Sequence, residues 1–307
     1  MCGVRLHISV LPADNPQQAE EASHMGGNAN HPCRKCNVGG PSQHIQTDEG
    51  YHSLYLMKSA MKDVQKSVTE MQTAMGTKDK ITEYWIEILL TKAKEEKKRD
   101  RTKSVQQIAV ELEKWLDEQP GEKMSPLLNI AGLDPTKDTP VEILHTILLG
   151  IVKYVWLMFH TSLTEADCNL FVIHLQLTDL DGLNILPLCA AYMMQYRSNL
   201  IGKHFKTLMQ TMAFHAQDLV IPALFSLIKA VGKLSAVLWV SEIHNMDEYL
   251  SDLEILIANT LDAFAEVDPL KIVDKIKLHL LPHVVPDIRR FGPAPSTYVL
   301  SSAIIKR

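Results

Sequence analysis

Apolar residues recur at helical spacing along most of the chain after residue 50. Such stripes form because side chains three and four positions apart share one face of a helix. The pattern predicts helices over residues 51–75, 81–89 and 105–116, and then helix after helix from 139 to about 281. Glycine and proline interrupt this last series at Asp181-Gly182, Pro187, Pro222, Gly232 and Asp268-Pro269. The chain is therefore predicted to be mainly α-helical.

The long helical series has a well-marked beginning at Thr139-Pro140. Threonine suits the N-cap, proline suits the first helical position, and Glu142 places a carboxylate in the first turn. The most apolar window, residues 143–159, contains His145 and Lys153, and it is predicted to be a buried helix rather than a membrane span. Residues 231–240 fit either a continuing helix or a buried strand.

Residues 4–10 show the twofold alternation of a β-strand, with apolar side chains at Val4, Leu6, Ile8 and Val10. Asp14 follows this strand within Ala-Asp-Asn-Pro, which is a turn sequence. A carboxylate just beyond a strand is where α/β enzymes place metal-binding acids, and it is also an ordinary strand-to-turn junction. Together with the helices, this strand predicts a mainly α fold with a small α/β part.

The sharpest chemical feature is Cys33-Arg-Lys-Cys36, which lies in the polar, glycine-containing segment 17–50. Two thiolates two residues apart can chelate one Zn²⁺, and a segment this polar needs a metal or stays loose. The alternative is a reduced dithiol pair. A structural zinc needs four ligands, and the candidates for the other two are His24, His31, His44, His52 and the distant His145.

Glu142 and His145 lie three residues apart, on one face of the predicted helix. The pair could bind a metal, or Glu142 could cap the helix while His145 packs in the core, and spacing alone favours capping. Most other histidines, His279 and His283 among them, are expected to be packed or surface residues. The sequence holds no phosphate-cradling glycine loop, no GxSxG and no HExxH, so nucleotide-dependent and nucleophilic catalysis have no support.

Composition and charge argue against two kinds of partner, DNA held by bulk charge and a membrane. The 307 residues carry a formal net charge of −5 with a sequence pI near 6.2, which argues against DNA binding by bulk charge. Residues 92–103 hold seven basic and three acidic side chains, and a solvated helix or linker explains them better than a DNA-binding patch. The few scattered cysteines and the N-terminal pattern predict a soluble, intracellular protein with no membrane partner.

Several blocks spread along the chain resemble parts of one known family. They are ADNP at 13–16, SHMG at 23–26, CRKCNVGG at 33–40, DTPVEILHTILLGIVKYVW at 138–156, NLIGKHFK at 199–206, KLHLL at 277–281 and DIRRFGP at 287–293. Taken jointly, these blocks resemble the CACTA-like DNA transposases of mushroom-forming fungi, including the Plavaka group. The likeness covers roughly residues 10–293.

The resemblance implies an RNase H-like core interrupted by a long helical insertion, in a nuclear protein that binds DNA and could self-associate. Residues 1–50 would hold a strand and the CxxC segment, 51–120 a charged helical linker, 121–281 the insertion domain, and 282–307 the returning tail of the core. In the family three acids hold two Mg²⁺ or Mn²⁺ ions that activate water or a 3′ hydroxyl for attack on DNA, and Asp14 matches the second acid. Cys33 and Cys36 match a zinc-like signature that would also include Glu142 and His145.

The chain departs from the family pattern at the other two acids. The first should lie on an earlier strand than residues 4–10, and the last should follow Phe291-Gly292-Pro293, where no acid stands after Asp287. One carboxylate does not hold two metal ions. We therefore expect a transposase-derived, catalytically inactive protein. Two alternatives stay open: a fragment of an active DDE-type transposase, and a non-enzymatic zinc-containing module that binds nucleic acid or protein.

Overall fold

The structure is a computed structural model, and it describes residues 10–27, 29, 33–36, 72, 76–182, 185 and 187–297. Within these ranges the chain is mostly helical and contains no β-strand, only an isolated antiparallel bridge between His24 and Thr77. The prediction of a mainly α fold is confirmed. The predicted strand over 4–10 (apart from Val10) and the predicted helix over 51–75 (apart from residue 72) lie outside the described residues. The small α/β part and the RNase H-like core therefore stay predictions.

The chain forms two compact units. The first comprises Met1–Leu11 and Pro16–Thr139, and the second comprises Pro12–Asn15 and Pro140–Arg307. Helix α1 spans Asn15–Glu21 and, apart from Asn15, belongs to the first unit. The further described helices of this unit are α2 (Lys80–Arg99), α3 (Val105–Glu118) and a 3₁₀ turn, Pro126–Asn129.

Local capping explains where α2 and α3 begin. The Asp79 carboxylate accepts a hydrogen bond from the Thr82 N–H at 2.8 Å, and Ser104 forms a reciprocal capping box with Gln107. The two helices pack together, with the rings of Trp85 and Trp115 6.4 Å apart. Most of the charged segment 92–103 is the largely solvent-facing second half of α2, as the sequence indicates.

The second unit consists of a long series of helices. A π-helix, Leu144–Val152, continues directly into α4, Lys153–Ser162. The following helices are α5 (Glu165–Gln176), α6 (Ala190–Gln195), α7 (Gly202–His215), α8 (Pro222–Leu238), α9 (Met246–Val267), α10 (Pro269–Asp274), α11 (Ile276–His279), α12 (Leu281–Phe291) and a 3₁₀ turn, Ala294–Thr297. Residues 231–238 belong to α8, so the alternative of a strand at 231–240 is wrong. Val231, Leu234 and Leu238 recur at helical spacing and are all buried.

The core of the second unit is apolar and partly aromatic. Phe159 and Phe171 meet edge to face at 4.7 Å between ring centroids, and α8 packs against α7 and α9. The helix Leu144–Ser162 is long and apolar enough to cross a membrane by composition, with a mean hydropathy of 1.3. Its residues Ile151, Val152 and Val155 are inaccessible to solvent, as in an interior helix.

The first helix of this unit begins later than predicted. Helical backbone starts after Glu142, whose buried carboxylate accepts hydrogen bonds from the N–H groups of Leu144 at 2.6 Å and His145 at 2.7 Å. Thr139 lies outside the helix and donates its hydroxyl to the Pro135 carbonyl at 3.0 Å. The prediction of an N-cap at Thr139 is wrong, because the free N–H groups lie several residues further on, where only the Glu142 side chain meets them.

Candidate metal centre

The Cys-x-x-Cys segment forms a tight turn that brings its two ends together. The Lys35 N–H lies 3.4 Å from the Cys33 sulfur, toward which it donates a hydrogen bond. The Nε of Arg34, between the two cysteines, donates a hydrogen bond to the Thr139 hydroxyl at 3.2 Å. Cys33 is buried and Cys36 is half-buried. Burial raises the pKa of the Cys33 thiol to about 11, so the metal-free side chain keeps its proton at neutral pH.

Two histidines form a second pair where α11 ends and α12 begins. His279 and His283 are four residues apart, with ring centroids separated by 5.3 Å and their Nε2 atoms by 3.4 Å. Pro282 at the start of α12 and the short step between the two helices keep both side chains on one face. Burial lowers the pKa of His279, which favours the neutral imidazole, the form that binds metals.

These four side chains, Cys33, Cys36, His279 and His283, offer ligand atoms that all lie within 4.8 Å of one another. On a tetrahedral Zn²⁺, with ~2.0 Å to nitrogen and ~2.3 Å to sulfur, two nitrogens stand ~3.3 Å apart and two sulfurs ~3.8 Å apart. The observed Nε2–Nε2 distance of 3.4 Å matches the first value. Two thiols and two imidazoles are also the donors that zinc prefers. The cluster could therefore bind a metal such as zinc.

Cys33 and Cys36 thus lie beside possible ligands. Of the other predicted ligands, His31, His44 and His52 lie outside the described residues, and the remaining three do not belong to the cluster. Glu142 caps the π-helix, and its carboxylate also lies 2.8 Å from the Nδ1 of His145. The His24 ring accepts a hydrogen bond through Nδ1 from the Gly26 N–H at 2.9 Å. Among the described residues, the only cluster of three or more candidate metal ligands does not include His24, Glu142 or His145. Their role as zinc ligands stays a prediction.

Asp14, the predicted catalytic acid, is half-buried and directly precedes α1. It does not belong to the cluster described above. The neighbouring Asn15 donates through Nδ2 to the Thr146 hydroxyl at 3.1 Å, which ties this turn to the π-helix within the second unit. A catalytic role for Asp14 stays a prediction.

His279 and His283 complete the cluster, although the sequence pattern favoured packed or surface positions for them. The usable signal was their spacing, because H-x₃-H after C-x₂-C is the ligand arrangement of classical zinc fingers. That signal is hard to see in this chain, since Cys36 and His279 are 243 positions apart (279 − 36). Zinc fingers place their pairs within one short motif.

Comparisons with known proteins identify no relative: no family, no curated protein and no solved structure matches this chain.

Proposed function

We propose that this protein is a helical zinc-binding protein in which Cys33, Cys36, His279 and His283 hold one structural Zn²⁺. The observation that supports the proposal is the proximity of these four ligand atoms, all within 4.8 Å of one another. Four protein ligands leave no open position for water or substrate, which is the arrangement of structural rather than catalytic zinc. When bound, the ion would stabilise the thiolate form of both cysteines and add its binding free energy to folding.

Metal analysis of the purified full chain tests this proposal. We expect one Zn²⁺ per chain, and we expect both Cys33→Ser/Cys36→Ser and His283→Ala to abolish the stoichiometric zinc. The matched controls are Cys189→Ser and His244→Ala, because both side chains are exposed and stand outside the cluster. Co²⁺ replacing zinc should give the intense visible absorption of a tetrahedral sulfur–nitrogen site.

Two results would contradict the proposal. Wild-type protein that carries no zinc after purification without chelators, and takes up none from a zinc buffer, has no such site. A His283→Ala variant that keeps its zinc while the double cysteine variant loses it would show that the cysteines use other ligands. His24 and His145 would then be the next residues to substitute.

We further propose that the protein derives from a CACTA-like transposase and that these 307 residues by themselves have no strand-transfer or nuclease activity. The resemblance of its sequence blocks supports the origin, and the acids support the absence of activity, because only Asp14 matches the family's catalytic set in these 307 residues. The alternative is a piece of an active DDE-type transposase. Mn²⁺-dependent DNA cleavage by the purified chain, abolished by Asp14→Ala and retained by Asp218→Ala, would overturn the inactive assignment.

A further inference from the structure

An exposed aromatic and basic surface lies in the second unit, where α6 is followed by α7. We call Tyr192, Tyr196, Arg197, Lys203 and His204 the tyrosine surface. Tyr192 and Tyr196 are 49% and 44% exposed, which is unusual for two large rings that touch each other. Their ring centroids lie 4.7 Å apart, and the His204 ring stands 5.9 Å from Tyr192. The three rings thus form a cluster in which neighbouring rings are tilted by 42° and 50° and both tyrosines are exposed to solvent.

The backbone beneath the tyrosine surface is held firmly. Met193 and Met194, which lie between Tyr192 and Tyr196 in the chain, are buried in the core. The buried Trp156 donates its indole N–H to the carbonyl oxygen of Arg197 at 2.9 Å. A rigid support lowers the entropy cost of binding, because the rings need not be ordered when a ligand arrives.

The charge of this region is opposite to that of the whole protein. Residues 182–217 contain Arg197, Lys203 and Lys206 and no Asp or Glu, whereas the chain as a whole has a net charge of −5. Arg197 and Lys203 are exposed, and within the described part of the chain neither forms an ion pair. The Ile201 N–H donates to Nδ1 of His204 at 3.2 Å, which leaves the proton of the neutral ring on Nε2. The surface therefore offers cations and ring faces together.

We propose that the tyrosine surface binds single-stranded nucleic acid, with unpaired bases stacking on Tyr192 and Tyr196 and phosphates contacting Arg197 and Lys203. Aromatic side chains interleaved with cations are the general means of holding single strands, because every base has a π-face and every nucleotide carries a phosphate. A duplex hides its base faces, so stacking on exposed rings favours single strands. The basic excess over 182–217, with no acidic residue, favours a polyanionic partner, which a local basic patch attracts. No residue of the tyrosine surface belongs to the proposed set of zinc ligands.

Fluorescence anisotropy of a fluorescein-labelled oligo(dT), with the zinc-loaded full chain, tests this proposal. We expect Tyr192→Ala/Tyr196→Ala to weaken binding by about 25-fold or more, since removing one ring on which a base stacks costs about 1 kcal/mol or more. The matched control is Tyr84→Ala, which removes a 59% exposed tyrosine from the other unit and should leave affinity unchanged. Circular dichroism melting checks that each variant is folded.

Salt dependence provides a second measurement that does not depend on the tyrosines. We expect Arg197→Ala/Lys203→Ala to reduce the slope of log affinity against log salt by about 1.4, or about 0.7 for each phosphate of a single strand that the protein no longer neutralises. The exposed Lys233 on α8 serves as the control substitution to alanine and should leave the slope unchanged.

Three outcomes would overturn the proposal. The first is no binding of oligo(dT) or oligo(rU) at low salt. The second is equal loss of affinity in the double tyrosine variant and Tyr84→Ala. The third is binding to anionic phosphatidylserine vesicles without binding to either oligonucleotide, which would make this a membrane-surface patch.

Discussion

Replacing Glu142 by alanine should test the role of a carboxylate for which the sequence allowed two interpretations. Glu142 is 1% exposed and accepts three hydrogen bonds, from the N–H groups of Leu144 and His145 and from Nδ1 of His145. Alanine leaves two backbone donors at the start of the π-helix without an acceptor. Each buried donor left unsatisfied costs about 1–3 kcal/mol, and water can reach the partly exposed His145. We therefore expect a loss of about 2–4 kcal/mol in the free energy of unfolding.

Urea denaturation followed by circular dichroism measures this loss, and two further variants and a metal analysis complete the test. Glu142→Gln keeps one acceptor oxygen in the same shape and should lose about 1–2 kcal/mol. Glu254→Ala removes an exposed carboxylate from the middle of α9 and should change stability by less than about 0.5 kcal/mol. Metal analysis of Glu142→Ala separates the two interpretations, because a capping residue can be removed without loss of zinc.

The reasoning fails if Glu142→Ala is as stable as Glu254→Ala, since the carboxylate would then not satisfy the helix start. It also fails if Glu142→Ala loses its zinc while remaining folded. That result would restore Glu142 to the ligand set that the sequence resemblance implied.

Two further predictions concern a comparison of two separate glycines, Gly150 and Gly232, and the histidine His215. A Cβ at Gly150 would lie 2.6 Å from a neighbouring lysine side chain and 3.1 Å from a backbone oxygen, so Gly150→Ala should destabilise by about 1–3 kcal/mol. Gly232→Ala meets only ordinary contacts inside α8 and should stabilise by about 0.5–1 kcal/mol; equal effects of the two substitutions in urea denaturation would contradict the packing argument. Burial lowers the pKa of His215 below its ordinary value of 6.5, so the stability it contributes is complete above pH 6.5 and is lost as the pH falls through the lowered pKa. Melting temperature should therefore fall between about pH 7.5 and 5.5, less steeply for His215→Gln than for wild type, and the exposed His244→Gln should follow wild type.

The amino-acid sequence by itself determined the helical character of most of the described chain. The spacing of apolar residues and the positions of proline and glycine at helix ends depend on only one or two helical turns. They can therefore be recognised without knowing the fold. Pro222 stands at the start of α8, and the break at Asp268-Pro269 separates α9 from α10. The chelating pair Cys33 and Cys36 was also visible, because its chemistry lies within four residues.

Tertiary structure decided which histidines stand beside those cysteines and which residue caps the first helix of the second unit. His279 and His283 are far from the cysteines in sequence, and no local rule relates the two pairs. Thr139 had the right residue type for an N-cap, but the fold placed the start of the helix at the longer side chain of Glu142. The tyrosine surface likewise depends on tertiary packing. Helix α6 packs against α5 and buries Met193 and Met194, which leaves Tyr192 exposed, and the sequence alone does not show which face of a helix the core covers.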